Sequence, residues 1–303
     1  MTLEYNINGM YVFKQDGKEV GRSKNLITTN GTSAILQYLT GNGGEWAGSI
    51  AIGAMNTTAN VNDLALRYEI ARATIASKSY RNGTPNLIII KGRVDSLVAA
   101  NIYEVGVFPA NNDKVFGARD NLIVTDFSSP EDWIVDSGNI SQQAYAAQSP
   151  FSPRVGLYNF VIESNSSTTN DNFVFDLSSF TSLDSLDILA SVDETKNGIV
   201  RVTLTDVNNV SKQLNYSFDG DVTSGYQVLS QNFPSDISTL SNISTVRVET
   251  IGSFSDITLD SIRVSVLGEI SNSTALVSRS TLTTPIAKIY GVPLDIEYYV
   301  QIG

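Results

Sequence analysis

The feature that most limits the fold of this chain is a short alternation of polar and apolar residues, interrupted again and again by Asn, Asp, Ser or Gly. Alternation at period two is the mark of a strand with one face buried and one face wet. The runs 157–163, 172–177, 185–191, 199–205, 213–218, 226–230, 245–250 and 257–267 succeed one another in this way. Eight candidate strands in series are what a jelly roll contains. Earlier in the chain, 4–14 and 17–20 read as a hairpin around Gln15, Asp16 and Gly17, because Asp-Gly accepts the positive φ of a tight turn. Segments 48–53, 86–94 and 101–108 read as further strands. Helical spacing is clearest at 32–39, with Ile35, Leu36 and Leu39 on one face and Gly41 just past the end. Segment 64–72 reads as a helical turn before a strand at 73–77. The expected class is mainly β with one or two short helices.

Charge divides the chain into parts. The protein has 303 residues and a net charge of −11, yet residues 130–270 hold 18 acidic and 6 basic side chains and the remainder is close to neutral. An excess confined to one segment marks a separate module. The tail reverts to alternation at 276–280, 284–288 and 294–302. Two or three strands cannot bury a core alone, so the tail is expected to complete the N-terminal sheet. That organisation makes 1–129 with 271–303 a discontinuous platform domain, and 130–270 an inserted antiparallel β-sandwich, a jelly roll.

Composition excludes much chemistry. With no Cys and no His, the chain lacks thiolate nucleophiles, disulfides, imidazole bases and the usual ligands of zinc. A surplus of carboxylates opposes nucleic-acid binding. The N-terminus has no signal-peptide pattern, and no window reaches the roughly 18 apolar residues of a membrane helix. Carboxylate pairs remain: Glu131/Asp132, Asp184/Asp187, Asp193/Glu194 and Asp219/Asp221. Nothing in the sequence sets two of them across a cleft, and those at 193–194 and 219–221 have the setting of turns. The expectation is therefore a non-enzyme without a cofactor. Glycans stack on exposed rings, which makes Trp133, Tyr145, Phe151, Tyr158 and Tyr226 the candidate ligand-binding side chains. Segment 137–152, with Tyr145, Ala146 and Ala147 amid Gln and Ser, is too polar for a core strand and reads as a linker or as an arm that docks on a neighbouring subunit. Glycines 41, 43, 44, 48 and 53 read as turns.

Taken in order, residues 25–31, 50–53, 64–72, 86–90 and 103–108, the last being Tyr-Glu-Val-Gly-Val-Phe, resemble the N-terminal domain of tailed-phage tail-collar and tail-fibre proteins. Residues 285–288 followed by an alternating last strand resemble the close of that domain. The insertion departs from the family pattern after 113–119. The inserted part is similar to the galactose-binding-like jelly rolls of carbohydrate-binding modules, through 159–163, 173–177 with Phe180, and 257–264. In those modules two carboxylates often share a structural calcium, and the resemblance places Glu163 and Asp260 in that role. The two resemblances together imply a structural protein of a tailed-bacteriophage virion, in the tail, collar, baseplate or a fibre. Its partners would be other virion proteins, further copies of itself and a host-surface glycan. Its location would be the virion, after synthesis in the host cytoplasm. A capsid decoration protein or head fibre is the alternative, and an accessory module of a carbohydrate-active enzyme the second alternative.

Overall fold

Asp16 and Gly17 both adopt positive φ, 50° and 72°, and the backbone reverses there into the expected hairpin. The computed structural model describes residues 7–81, 87–109, 123–127, 129–144, 154–176, 185–192, 197–218, 225–233, 240, 242–265 and 276–302. In chain order the first strands are β1 (Ile7–Gln15), β2 (Lys18–Lys24), β3 (Leu26–Ile27), β4 (Ser49–Gly53), β5 (Glu69–Arg81), β6 (Leu87–Val94) and β7 (Ala100–Phe108). Next come β8 (Ile123–Thr125), β9 (Ile134–Ser137), β10 (Ile140–Ala144), β11 (Tyr158–Glu163), β12 (Ser167–Asn170), β13 (Phe175–Asp176) and β14 (Ser185–Val192). The rest are β15 (Gly198–Asp206), β16 (Ser211–Phe218), β17 (Gly225–Asn232), β18 (Asn242–Gly252), β19 (Asp256–Ser265), β20 (Ser278–Lys288) and β21 (Leu294–Ile302). One α-helix, α1 (Thr29–Leu39), lies between β3 and β4, and among the described residues no helix is long and apolar enough to cross a membrane. The protein is mainly β, and the strand pairings among the described residues are antiparallel.

The chain forms two compact units, Met1–Asn121 with Ile270–Gly303, and Leu122–Glu269. Residues 122–129, assigned above to the platform, belong to the inserted unit: Thr125 pairs with Ile262 of β19, and Phe127 is buried in that unit's core.

In the discontinuous unit nine strands follow the order β2-β1-β21-β6-β5-β4-β7-β20-β3. The tail supplies two of them: β21 lies between β1 and β6, and β20 between β7 and β3. Strand β5 turns the corner, pairing with β4 through residues 69–74 and with β6 through residues 75–81. The helical turn expected at 64–72 is not formed, because Glu69 onward is strand and Leu66, Tyr68 and Ile70 are buried. Tyr11 and Tyr298, register partners on β1 and β21, stack at 4.6 Å, and the Tyr11 hydroxyl meets Ser278 Oγ of β20 at 2.5 Å. Helix α1 starts where Thr28 Oγ1 accepts the Gly31 N–H at 2.9 Å, a side-chain N-cap.

The inserted unit is a sandwich of two antiparallel sheets, β10-β11-β19-β14-β17 with β8 beside β19, and β16-β15-β18-β12-β9 with β13 beside β18. Alternate residues of both sheets meet in one core: Phe160 and Ile162, Leu186, Ile188 and Ala190, Val200, Val202 and Leu204, Val246 and Val248. This face-to-face burial is what the period-two runs encode. Each of the eight runs read from the sequence contains or overlaps a strand, β11 and β13 to β19. Strands β8, β9, β10 and β12 of this unit fall outside those runs. Part of the segment read as a linker, 140–144, is β10, an edge strand with exposed polar side chains.

Candidate functional site

The face of the β10-β11-β19-β14-β17 sheet turned away from the core carries the most unusual polar groups of the inserted unit. Because Leu186, Ile188 and Ala190 point into the core, strand alternation sends Ser185, Asp187 and Leu189 to the opposite face. There Asp187 is buried against Arg263, whose Nε and Nη2 donate to Asp187 Oδ2 at 3.1 and 3.0 Å, while Ser185 Oγ donates to Oδ1 at 2.9 Å.

Asp260 follows Ile257 and Leu259, which point into the core, so alternation sends it to the outward face, and a break in register falls at it. Strand β14 pairs Leu189 with Ser261 and Ala190 with Leu259, so Asp260 is the extra residue of a β-bulge. Its side chain is fully buried. Asp260 Oδ2 accepts the Arg154 backbone N–H at 2.8 Å, and Oδ1 accepts that of Val155 at 3.2 Å. Burial pushes its pKa up to about 8 against the pull of these two N–H groups and of the Arg154 charge, and Asp126 adds to the rise. The Arg154 guanidinium in turn lies 4.7 Å from the centre of the Tyr226 ring, a cation–π contact. Asn159 Nδ2 donates to the Tyr226 hydroxyl at 3.1 Å. A carboxyl that favours its neutral form, an amide, a phenol and a guanidinium thus converge from β19, β11, β17 and the segment before β11. Asp260, Asn159 and Tyr226 are buried, so the set bonds within itself and fixes the segment at Arg154.

The sequence candidates fall in different places. Glu163 pairs with Asp256, four residues along β19 from Asp260, roughly 13 Å at the rise of a strand. It is exposed and accepts from Asn139 Nδ2 at 2.9 Å. The structure therefore does not bring Glu163 and Asp260 to one cation, whose ligands must all lie about 2.4 Å from it. Among the described residues, no group of three or more acidic side chains is placed to hold a metal ion. Trp133, 8% exposed, is a core residue that meets Phe127 at 5.2 Å and Phe160 edge-on at 5.4 Å. It offers no stacking surface, because the aromatic cluster of the sandwich interior consumes its ring. Tyr158 is half-buried at the start of β11, opposite Ala144. Tyr226, 6% exposed, is the candidate that joins the Asp260 cluster. Tyr145 and Phe151 lie outside the described residues, as do Asp184, Asp193, Glu194, Asp219 and Asp221. Sequence reasoning missed Arg154, which stands in an irregular segment without any spacing signal, and passed over Asn159 as a strand residue.

No protein-family model matches the chain, and no curated protein matches it. Solved structures similar to part of it include carbohydrate-binding modules and chains of carbohydrate-active enzymes. A family 6 carbohydrate-binding module is 10% identical with a TM-score of 0.31, over 44% of this chain and 86% of that one. The family 11 module from Clostridium thermocellum, solved with a β-1,3-1,4-mixed-linked tetrasaccharide, is 13% identical with a TM-score of 0.32, over 47% and 93%. The enzymatically active domain of tailspike protein 4 of bacteriophage CBA120 is 8% identical with a TM-score of 0.31, over 48% of this chain and 22% of that one.

Proposed function

We propose that this protein is a multi-copy structural subunit of a tailed-phage particle, whose discontinuous unit docks on neighbouring subunits and displays the inserted sandwich as a non-catalytic glycan adhesin. One observation carries the reading. The chain leaves the discontinuous unit after β7 and returns on β20, and these strands are hydrogen-bonded neighbours with Val107 opposite Ser278. A short turn would close that pair, so a whole sandwich has been set into what is otherwise a hairpin connection. A module inserted at such a point can be exchanged or lost without touching the sheet that holds it, which is the architecture of display. Leu36 and Leu39 on α1 are exposed, the latter by 67%, and offer apolar surface for subunit contact. In the sandwich, Tyr226, Asn159 and Asp260 are buried and brace the segment at Arg154 through their mutual contacts, so they would support a sugar-binding surface from beneath and not stack on the sugar themselves. Repetition on a particle multiplies a weak affinity.

Glycan-array binding and a hydrolysis assay on the full chain, with immunogold labelling of particles, test this. Binding without turnover and label at the tail support the reading. Turnover overturns its non-catalytic part. Label on the shell replaces it with a decoration protein or head fibre.

A further inference from the structure

The discontinuous unit contains a cavity of about 340 Å³ that the function proposed above does not use. Tyr38 comes to it from the end of α1, Glu45 and Trp46 from the following loop, Lys78 and Tyr80 from β5, and Ile88 from β6. Local chemistry builds this wall. Helix α1 stops in a Schellman motif: Gly41, at φ 71°, donates its N–H to the Tyr38 carbonyl at 3.1 Å, and Asn42 donates to that of Gln37 at 2.9 Å. Gly43 then passes so close to the helix that a Cβ there would lie 2.8 Å from Gln37 Cβ. The glycine-rich loop is thereby folded back over the helix end, which carries Trp46 toward the β5–β6 ribbon. On that ribbon Lys78 opposes Ile90 and Tyr80 opposes Ile88 in register, so the four side chains share a face.

Three rings around one cavity are costly to leave wet, yet Tyr38 and Tyr80 are 46% and 58% exposed. Lys78 forms an ion pair with Glu45 at the rim. These two charges cancel, so the site holds no net attraction for an anion or a cation. An apolar ligand would strip water from both without replacing it. What fits is a neutral ligand with apolar faces and a hydroxylated edge. We infer that this cavity is a saccharide-binding subsite, separate from the sandwich, in which the rings of Tyr38, Trp46 and Tyr80 pack on a pyranose while Glu45 and Lys78 bond its hydroxyls. Its volume stands at the small end of ligand sites and suits one or two sugar rings.

The chain has two tryptophans, Trp46 and Trp133, one in each unit. The full chain labelled with 5-fluorotryptophan therefore gives two ¹⁹F signals, which Trp46→Phe assigns. Titration with glucose, galactose, mannose, N-acetylglucosamine and their disaccharides, to about 50 mM so that millimolar affinities saturate, is expected to move the Trp46 signal along a binding isotherm and leave Trp133 still. Tyr80→Ala, at an exposed position, is expected to weaken that binding about tenfold with little change in the thermal midpoint. The inference is overturned if none of the probes moves the Trp46 signal, if it moves with protein concentration alone, which assigns the cavity to a second copy of the chain, or if Tyr80→Ala leaves the affinity unchanged. Array binding that persists in Tyr80→Ala with the Trp46 signal still overturns this site and leaves the adhesin reading of the sandwich standing.

Discussion

Arg279 and Glu104, 175 residues apart in the chain, meet in the interior of the discontinuous unit with neither side chain exposed. Arg279 Nε and Nη2 both donate to Glu104 Oε2, at 3.0 and 2.7 Å, and Nη1 donates to Asp63 Oδ2 at 2.7 Å. Glu104 also accepts the backbone N–H groups of Arg67 and Tyr68 at 3.0 and 2.8 Å. One carboxylate therefore joins β7, β20 and the segment that leads into β5, on both sides of the insertion. Removing one partner strands a buried charge, at a cost of about 3–5 kcal/mol. Arg279→Ala is expected to lose stability of that order in urea unfolding, and Arg279→Met with Glu104→Leu to recover part of it.

The start of α1 is pinned to the returning chain. A Cβ on Gly31 would lie 2.0 Å from the Val277 carbonyl oxygen, a backbone atom that cannot swing away. Gly31→Ala should cost at least about 3 kcal/mol, the upper range for overpacking. Thr28→Ala, which removes the cap and the bonds from Oγ1 to the Leu276 and Val277 carbonyls, should cost about 1–2 kcal/mol. Thermal unfolding of the two variants checks the order.

The two units should answer acid with opposite signs. Asp260, raised from 3.8 to about 8 by burial, binds its proton more tightly folded than unfolded. Its ionisation therefore weakens the inserted unit progressively from near pH 4 to near pH 8, by at most about 1.4 kcal/mol per unit of pH. Glu297 is the reverse case. Burial acts to raise it, but bonds from Lys14, Lys91 and Tyr299 prevail and hold it at about 2 against an ordinary 4.5. Its contribution to the discontinuous unit is complete above pH 4.5 and lost as the pH falls toward 2. Hydrogen exchange read by peptide from pH 3 to pH 8 should show protection of the sandwich falling with rising pH, and Asp260→Asn should flatten that slope.

Trp133 is a packing residue, so its removal should be felt as stability. Trp133→Ala is expected to destabilise the sandwich by about 3–5 kcal/mol, whereas Trp133→Phe should cost far less and leave glycan binding unchanged. Urea unfolding beside the array separates these effects.

Limited proteolysis should release an acidic fragment close to Leu122–Glu269 that stays folded, while the N-terminal and C-terminal pieces elute together through the β1–β21 and β7–β20 pairings. Cleavage between residues 134 and 144 is not expected, since β9 and β10 are paired strands.

Strands with one apolar face announced themselves, as at β14 and β15, because core burial and sequence alternation share one period. Strand β12, Ser-Thr-Thr-Asn, is mostly buried without an apolar residue, and its interior polar groups are satisfied by neighbours such as the Ile134 carbonyl, which accepts from Thr168 Oγ1 at 2.9 Å. Such a strand has no hydrophobic signature to find. The sequence points to Tyr226 as a ring and to Asp260 only as a calcium ligand with Glu163, so it does not show that the two share one cluster with Arg154 and Asn159, nor that Trp133 lies in the core, because a ring's environment is not written in its flanks.

The order of residues by itself determined the β class, the Asp16-Gly17 reversal, the helix end at Gly41 and the exclusion of thiol and imidazole chemistry, since each depends on local φ, ψ and side-chain type. Only the tertiary structure decided which cation Glu104 receives, that a bulge falls at Asp260 beneath Arg154, and that Tyr38, Trp46 and Tyr80 surround one cavity. Those relations join segments up to 175 residues apart, and strand register and packing set them where no short-range preference reaches.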